Sequence, residues 1–282
     1  MRGLRPDGYH EILTVYQTIS LHDRLTLRLS KTSQAIRLQC SDPAIPAGHR
    51  NLVYQACKLW RQARDDRRGI EVTLEKHIPA GAGLGGGSSD AAATLLGLER
   101  LTGNRMDAHT QHRLAARLGS DVPLFLWGGR VLGCGHGEEV YPLWDLPRRP
   151  CLVVFPGFSI SSAEAYRELG QRLRLTRTVR SSRMDDVGAW PRFSLEAWGP
   201  AESDFEHVVF ARWPELARVK SQLIQAGAET ACLTGSGSAV FAVFDSAPKL
   251  VRASKFLPAG WQIFKSMTLL REEYERELEI KN

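Results

Sequence analysis

Apolar and polar positions alternate along residues 11–19 (EILTVYQTI) and 23–29 (DRLTLRL), and both runs carry β-branched residues, so each is a predicted strand. Over residues 51–64 the period changes. Leu52, Val53, Ala56, Leu59 and Trp60 fall on one face of a helix. Residues 70–76 alternate again and read as another strand. Then comes Pro79-Ala80-Gly81-Ala82-Gly83-Leu84-Gly85-Gly86-Gly87, which suits neither a helix interior nor a strand interior. Ser88-Ser89-Asp90 offers N-cap chemistry, and residues 91–101 (AAATLLGLERL) form helix readily. The predicted order is strand, glycine loop, capped helix.

A second helix is predicted over residues 107–118, ending at Gly119, and Pro123 disfavours helix at Val122. Residues 125–143 hold short runs broken by Gly128, Gly129, Gly133, Gly135 and Gly137. The composition at residues 145–150 (DLPRRP) marks a boundary, so the expected domains are 1–148 and 149–282. Beyond it, residues 151–155 read as a buried strand and 206–227 mainly as helix. Residues 230–245 read as two apolar runs about a glycine turn, and 262–270 as a last strand. Strands and helices in both halves predict an α+β protein of two packed layers.

Composition narrows the class. The chain has 282 residues, 43% hydrophobic and 24% charged, as a soluble globular protein would. No window approaches about 18 consecutive apolar residues, so no membrane partner is expected. The first residues, Met1-Arg2-Gly3-Leu4-Arg5, lack the apolar core of a signal peptide. Cys40, Cys57, Cys134, Cys151 and Cys232 are scattered without a Cys-x-x-Cys pair. That pattern opposes a disulfide framework or zinc cluster and fits a cytoplasmic protein with cysteines used as small buried hydrophobes. The net charge of +6 suits an anionic partner. Much of the surplus lies in residues 172–183, without interleaved aromatics or a nucleic-acid module. It reads as a solvated loop or helix end, and the expected partner is a phosphorylated small molecule rather than nucleic acid.

The glycine loop is the sharpest chemical feature. Five glycines in seven residues expose backbone N–H groups, and the following helix adds unpaired donors and a positive dipole end. Together they suit a polyphosphate. The hydroxyls of Ser88 and Ser89 can add donors or reach a magnesium ion. A flexible loop or tight helix–strand packing explains most isolated glycine runs, but the strand before and helix after favour phosphate. It is not the usual P-loop, lacking Gly-Lys-Ser/Thr, nor a dinucleotide fingerprint. Asp121, held between a helix-ending glycine and Val122-Pro123, is either a proton acceptor for a substrate hydroxyl or a turn-forming aspartate. Gly235-Ser236-Gly237 reads first as a tight turn between strands. Tyr9-His10 is either a stacking and hydrogen-bonding pair or an ordinary strand start. His109 and His112 have no obvious third ligand for a metal.

Taken in order, Leu4-Arg5-Pro6-Asp7-Gly8-Tyr9-His10-Glu11, the run from Pro79 to Ala92, Gly119-Ser120-Asp121-Val122-Pro123-Leu124-Phe125 and Leu233-Thr234-Gly235-Ser236-Gly237 resemble the 4-diphosphocytidyl-2-C-methyl-D-erythritol kinases. These belong to the galactokinase, homoserine kinase, mevalonate kinase and phosphomevalonate kinase (GHMP) superfamily. The resemblance implies a first domain like domain 2 of ribosomal protein S5 and a ferredoxin-like second domain, with ATP and substrate between them. It implies that Pro79, Ala80, Gly81, Ala82, Gly83, Leu84, Gly85, Gly86, Gly87, Ser88 and Ser89 bind ATP phosphates with Mg2+, and that Asp121 is the catalytic base. Tyr9 and His10 resemble the cytidine-recognising pair, and Tyr166 the aromatic on the other side of cytosine. Gly235, Ser236 and Gly237 would close the cleft near the substrate phosphates. The implied substrate is a cytidine diphosphate-linked methylerythritol, and the implied assembly a monomer or homodimer.

The sequence departs from the family twice. A strand bearing Ala-Lys-Ile-Asn-Leu, whose lysine sits beside the aspartate, is absent, and no lysine occurs before Lys31. The expectation is that Met1 is internal to the encoded protein. Ala82 stands where glycine is frequent, which matters if its φ is positive. The alternatives to this kinase are a nucleotide-binding homologue with impaired catalysis and another GHMP-type small-molecule kinase.

Overall fold

The computed structural model describes residues 3–4, 10–172 and 198–278. In chain order the first half holds β1 (Gly3–Leu4), β2 (His10–Gln17), β3 (Arg24–Ser30), β4 (Ile36–Cys40), α1 (Leu52–Arg64), β5 (Gly69–Glu75), α2 (Gly86–Thr102), α3 (Ala108–Leu118), α4 (Leu124–Trp127), β6 (Arg130–Gly135) and β7 (Glu139–Pro142). The second half holds β8 (Pro150–Phe155), α5 (Ser162–Arg172), α6 (Glu206–Arg212), α7 (Pro214–Gln225), β9 (Thr230–Leu233), β10 (Val240–Val243), α8 (Ala247–Ser254), β11 (Gln262–Met267) and α9 (Arg271–Glu277). The chain is α+β, as expected.

Three sheets organise it. β1, β2, β6 and β7 pair antiparallel in that order. β5 lies between β3, antiparallel to it, and β4, parallel to it. The third sheet runs β11-β8-β10-β9, all antiparallel. Numbered along the chain those four strands stand in the order 4-1-3-2, with helices between the first and second and between the third and fourth. That is the ferredoxin-like arrangement.

Each sheet with a helical cover has its own core. Asn51 caps α1 by accepting a hydrogen bond from the Val53 N–H at 2.9 Å, so the helix starts where Val53, Ala56, Cys57 and Trp60 turn inward. They meet Ile70, Val72 and Leu74 of β5 and Ala91, Leu95 and Leu98 of α2. In the second half Leu152 and Val154 of β8 point to Leu169, Leu216, Val219 and Leu223 of α5 and α7. Their neighbours Cys151, Val153 and Phe155 point to the other face, where Ala82 and Leu84 of the glycine loop pack. Each fully buried side chain of this size stabilises the fold by about 1.5–3 kcal/mol. The apolar back of the glycine loop is thereby fastened to the second half.

The halves are joined again near Ile19, which bridges to Thr268. The Leu269 N–H donates to Thr18 O at 2.9 Å, and the hydroxyls of Ser20 and Ser266 lie 3.0 Å apart. α9 then returns to the first half, where the Tyr274 hydroxyl donates to Phe125 O at 2.7 Å. None of the five cysteines is in a disulfide, and Cys57, Cys151 and Cys232 are buried. No helix among the described residues is long and apolar enough to cross a membrane.

Several sequence expectations need correction. Ser88, Ser89 and Asp90 do not cap α2. The helix begins at Gly86 with Gly85 as its N-cap in the left-handed region, so all three lie inside its first turns. The helix expected over 206–227 is broken at Trp213, because the Pro214 N1 position starts a new one. β4, α5, α8 and α9 were not anticipated. The basic stretch lies outside the described residues beyond Arg172, and Tyr9 is outside them too.

Candidate active site

The glycine loop leaves β5 and ends in α2. With no side-chain cap at Gly85, the N–H groups at the start of this 17-residue helix have no internal acceptor and carry its positive dipole end. That end is a seat for phosphate oxygens. The loop is held from behind through its own carbonyls. Ala239 N–H donates to Ala82 O at 3.1 Å, and Thr234 Oγ1 donates to Gly83 O at 2.8 Å. Gly83 has φ +78, and a Cβ there would come within 2.4 Å of Thr234 O and 2.7 Å of Gly237 O. Glycine is required at that position. Gly235 faces the Gly83 carbonyl, and Ser236 Oγ lies 2.7 Å from Ser162 Oγ, so the turn of Gly235, Ser236 and Gly237 forms the wall against which the loop rests. Ala82 is not among the positive-φ residues and is buried, so alanine fits there without strain.

Below the loop lies a buried ionic cluster. Lys76 Nζ pairs with Asp23 and, at 2.8 Å, with Asp90 of α2. The Asp23 carboxylate also accepts from the N–H groups of His77 at 2.5 Å and Ile78 at 2.9 Å. The start of the loop, the end of β5 and the first turns of α2 are thus tied to one ammonium. Burial pushes the Asp90 carboxyl up to about 7, against the pull of Lys76 and with the charge of Asp23 adding to the rise.

Asp121 lies between α3, which stops at Gly119, and α4, which follows Pro123. Phe125, one turn further on, places its ring against Gly85, so the Asp121 turn and the glycine loop are neighbours. The residue is open to solvent. Surrounding protein still raises its pKa above the ordinary carboxylate value by desolvation, while a hydrogen bond from Tyr16 acts the other way. Tyr166 of α5 is close enough for the Asp121 charge to add to the burial that pushes its phenol to about 12. Its ring stacks on His10 with centroids 5.3 Å apart and meets Phe205 edge-on at 4.8 Å. Burial lowers the pKa of His10 and keeps it neutral, fit to offer one donor and one acceptor. A carboxylate open to solvent, a phosphate seat and an aromatic stack therefore line one region.

Two family models match the chain: GHMP kinases N terminal domain over residues 51–129, and GHMP kinases C terminal over residues 187–262. A 4-diphosphocytidyl-2-C-methyl-D-erythritol kinase of Solibacter usitatus (strain Ellin6076) is 41% identical over 260 residues, covering 90% of this chain and 80% of its own. The enzyme of the same name from Prosthecochloris aestuarii (strain DSM 271 / SK 413) is 39% identical, covering 92% and 90%. The chain belongs to the 4-diphosphocytidyl-2-C-methyl-D-erythritol kinase family. A solved 4-(cytidine 5'-diphospho)-2C-methyl-D-erythritol kinase has the same fold, with a TM-score of 0.73 at 32% identity over 95% of this chain and 93% of that one. The kinase thus has the two-part GHMP fold anticipated from its motifs, S5 domain 2-like and then ferredoxin-like.

The structure gathers the residues singled out from sequence into two groups. Pro79 to Ser89 meets Gly235, Ser236 and Gly237 at the loop, while Asp121, His10 and Tyr166 meet beside it. Sequence reasoning missed Tyr16 and the Asp23–Lys76–Asp90 cluster. A signal for Tyr16 was present, because alternation along β2 puts His10, Ile12, Thr14 and Tyr16 on one face. The ionic cluster had none, since its members come from three separate elements.

Proposed function

We propose that this kinase transfers the γ-phosphoryl group of ATP to the 2-hydroxyl of 4-diphosphocytidyl-2-C-methyl-D-erythritol, in the non-mevalonate route to isoprenoid precursors. The substrate oxygen bonds to the γ-phosphorus, the bond from that phosphorus to the β,γ-bridging oxygen breaks, and ADP leaves with the electron pair. Asp121 takes the hydroxyl proton. The observation that carries this reading is the juxtaposition of Asp121 with the phosphate seat, through Phe125, and with the His10–Tyr166 stack. Phosphoryl transfer asks mainly for positioning and charge neutralisation, and the loop amides and the α2 dipole supply both.

Tyr9 and His10 recognise the cytosine with Tyr166 on its other side. The loop residues Pro79 to Ser89 hold the ATP phosphates, and Gly235, Ser236 and Gly237 close the cleft behind them. The reaction class implies Mg2+. No group of three His, Cys, Asp or Glu among the described residues forms a cage for a metal. The donor set fits an ion held largely by the nucleotide phosphates, with the hydroxyls of Ser88 and Ser89 as the side-chain oxygens on the loop. There it would neutralise phosphate charge. The reading includes domains at 1–148 and 149–282, a cytoplasmic protein, and a monomer or homodimer without nucleic-acid or membrane partners.

The test is ADP formation with ATP, Mg2+ and 4-diphosphocytidyl-2-C-methyl-D-erythritol. Turnover should depend on that acceptor, and Asp121→Asn should lower kcat by about a thousandfold. ADP formation unaffected by Asp121→Asn would remove the aspartate from its role. Turnover with homoserine or mevalonate instead would assign a different acceptor, and nucleotide binding with no turnover would favour an impaired homologue.

A further inference from the structure

Tyr16 has no role in the reading above, yet its placement is tightly determined. It sits near the end of β2, paired with Val131 of β6, and shares its face with His10, Ile12 and Thr14. Its ring edge abuts the backbone of the neighbouring strand at Gly133. A Cβ on Gly133 would stand 2.4 Å from Cε2 and 3.2 Å from Cδ2. The missing side chain at Gly133 thus leaves room that the edge of the phenol ring fills. Further along, a Cβ on Gly137 would meet the Tyr16 hydroxyl at 3.4 Å and Asp121 Oδ1 at 3.6 Å. One small space in the β6–β7 turn brings phenol and carboxylate together, and the phenol donates to the carboxylate there.

We propose that Tyr16 is a positioning residue for the transfer reaction: its hydroxyl fixes the Asp121 carboxylate against the β6–β7 turn, leaving the second carboxylate oxygen to take the proton of the attacking alcohol. This rests on Asp121 being the base. A hydrogen bond donated to a carboxylate favours its charged form, the form a base needs, and opposes the desolvation at this site. Among the described residues no cation offsets that desolvation, so the phenol is the group there that does. Burial and the Asp121 charge both hold the phenol protonated, so it stays a donor through the working pH range.

The other titratable groups around the carboxylate belong to the elements that enclose it. They are His10 on β2, Tyr166 on α5, and Cys134, His136 and Glu138 at the end of β6 and in its turn. His136 Nδ1 lies 2.8 Å from Ser120 Oγ and 3.3 Å from Glu138 Oε2, so its surroundings are set independently of Tyr16. A change confined to the phenol is therefore read at Asp121.

The experiment is the pH profile of kcat/KM for the full chain and for Tyr16→Phe, with Asp121→Asn alongside. Tyr16→Phe should move the acid limb up by about one to two pH units, the value of a hydrogen bond to a charged group, with KM for the cytidine substrate little changed. Gly133→Ala, which keeps the phenol but lifts its ring, should move the limb in the same direction, so the test survives if Tyr16→Phe folds poorly. An unmoved acid limb in both variants, with Asp121→Asn inactive, overturns the proposal and leaves the base in place. Full turnover in Asp121→Asn would instead sink the base assignment itself.

Discussion

Gly83→Ala separates glycines that make the loop from glycines that face the ligand. The new methyl would start 2.4 Å from Thr234 O and 2.7 Å from Gly237 O, where about 3.3 Å is the closest ordinary carbon–oxygen approach. Both obstacles are backbone oxygens, so no side chain can swing away. The turn must retreat by roughly 1 Å, at an overpacking cost of about 1–3 kcal/mol. Holding an L-residue at φ +78 adds about 1–2 kcal/mol. The sum, about 2–5 kcal/mol, corresponds to a fall in Tm on the order of 10 °C for a chain of this size. Retreat of the turn also breaks the hydrogen bonds of Ala82 and Gly83 to it, so KM for ATP should rise as well. Gly87→Ala is the contrast. Its φ is not positive, and its Cβ would meet nothing closer than Leu52 Cδ1 at 3.8 Å. Alanine there should leave Tm unchanged or raise it by a helix-propensity gain of about 0.5–1 kcal/mol. It should still raise KM for ATP if the first turn of α2, where Gly87 is exposed, takes the phosphates as proposed. Melting by differential scanning calorimetry and initial rates against ATP give both readouts. A Gly83→Ala protein that melts with the wild type would refute the packing argument.

Two further predictions concern charge and specificity. Asp90, with its carboxyl pushed up to about 7, keeps a proton when folded that it loses when unfolded, so stability falls as pH rises from the ordinary carboxylate range through about 7. Asp90→Asn should flatten that dependence, measured by urea denaturation at several pH values; an unaltered slope would refute it. Gly170 lies on α5 four residues after Tyr166, and a Cβ there would stand 2.7 Å from His10 Nε2. Gly170→Ala should push the imidazole off its stack and raise KM for the cytidine substrate about fivefold with little change in kcat or Tm, so an unchanged KM would count against His10 as a cytidine contact.

How far the sequence disclosed this depended on whether a signal was local. β3, α1 and β5 were legible because their own periodicity matches the face they bury, β2 from its alternation and β-branched residues, and β8 as a short continuous apolar run buried on both faces. β4 escaped because its middle residue Leu38 is buried while Arg37 and Gln39 are exposed, too short a pattern to stand out. α5 and α9 are mostly polar and pack through a few residues such as Leu169 and Tyr274, so their faces are defined by partners far along the chain. The misplaced cap of α2 is consistent with the proposed phosphate site. Ser88-Ser89-Asp90 has the chemistry of a cap, but a side chain bonded to the first-turn amides would occupy the seat where phosphate belongs, and the structure starts the helix earlier on an uncapped glycine. For the site, motif residues were legible and their supports were not. The glycine loop, Asp121 and His10 stand in recognisable strings, whereas Tyr16 and Lys76 owe their roles to neighbours 105 and 14 positions away, Asp121 and Asp90.

The site's two parts are held by different means, and that difference says how each should respond to change. The phosphate loop is fixed by backbone groups: the Ala82 and Gly83 carbonyls bond to the turn and strand of the second half, and no side chain of the loop takes part in those two contacts. Substitutions there act first on stability and on the fit of the halves. The Asp121 carboxylate is held by a side chain, the Tyr16 hydroxyl, with the Tyr166 phenol near enough to feel its charge. Substitutions there act on rate and pH dependence with little effect on folding. The two parts meet at Phe125, whose ring touches Gly85 and whose carbonyl accepts the Tyr274 hydroxyl of α9. α9 is itself tied down, since the Arg271 N–H donates to Asp145 Oδ2 at 2.7 Å and its guanidinium donates to Arg130 O at 2.8 Å. A helix remote in sequence from Asp121 therefore buttresses the turn that carries it, and it does so through the residue that also abuts the glycine loop. In the proposed reaction, the spacing between the Asp121 carboxylate and the glycine loop would therefore answer to α9 as well as to the loop.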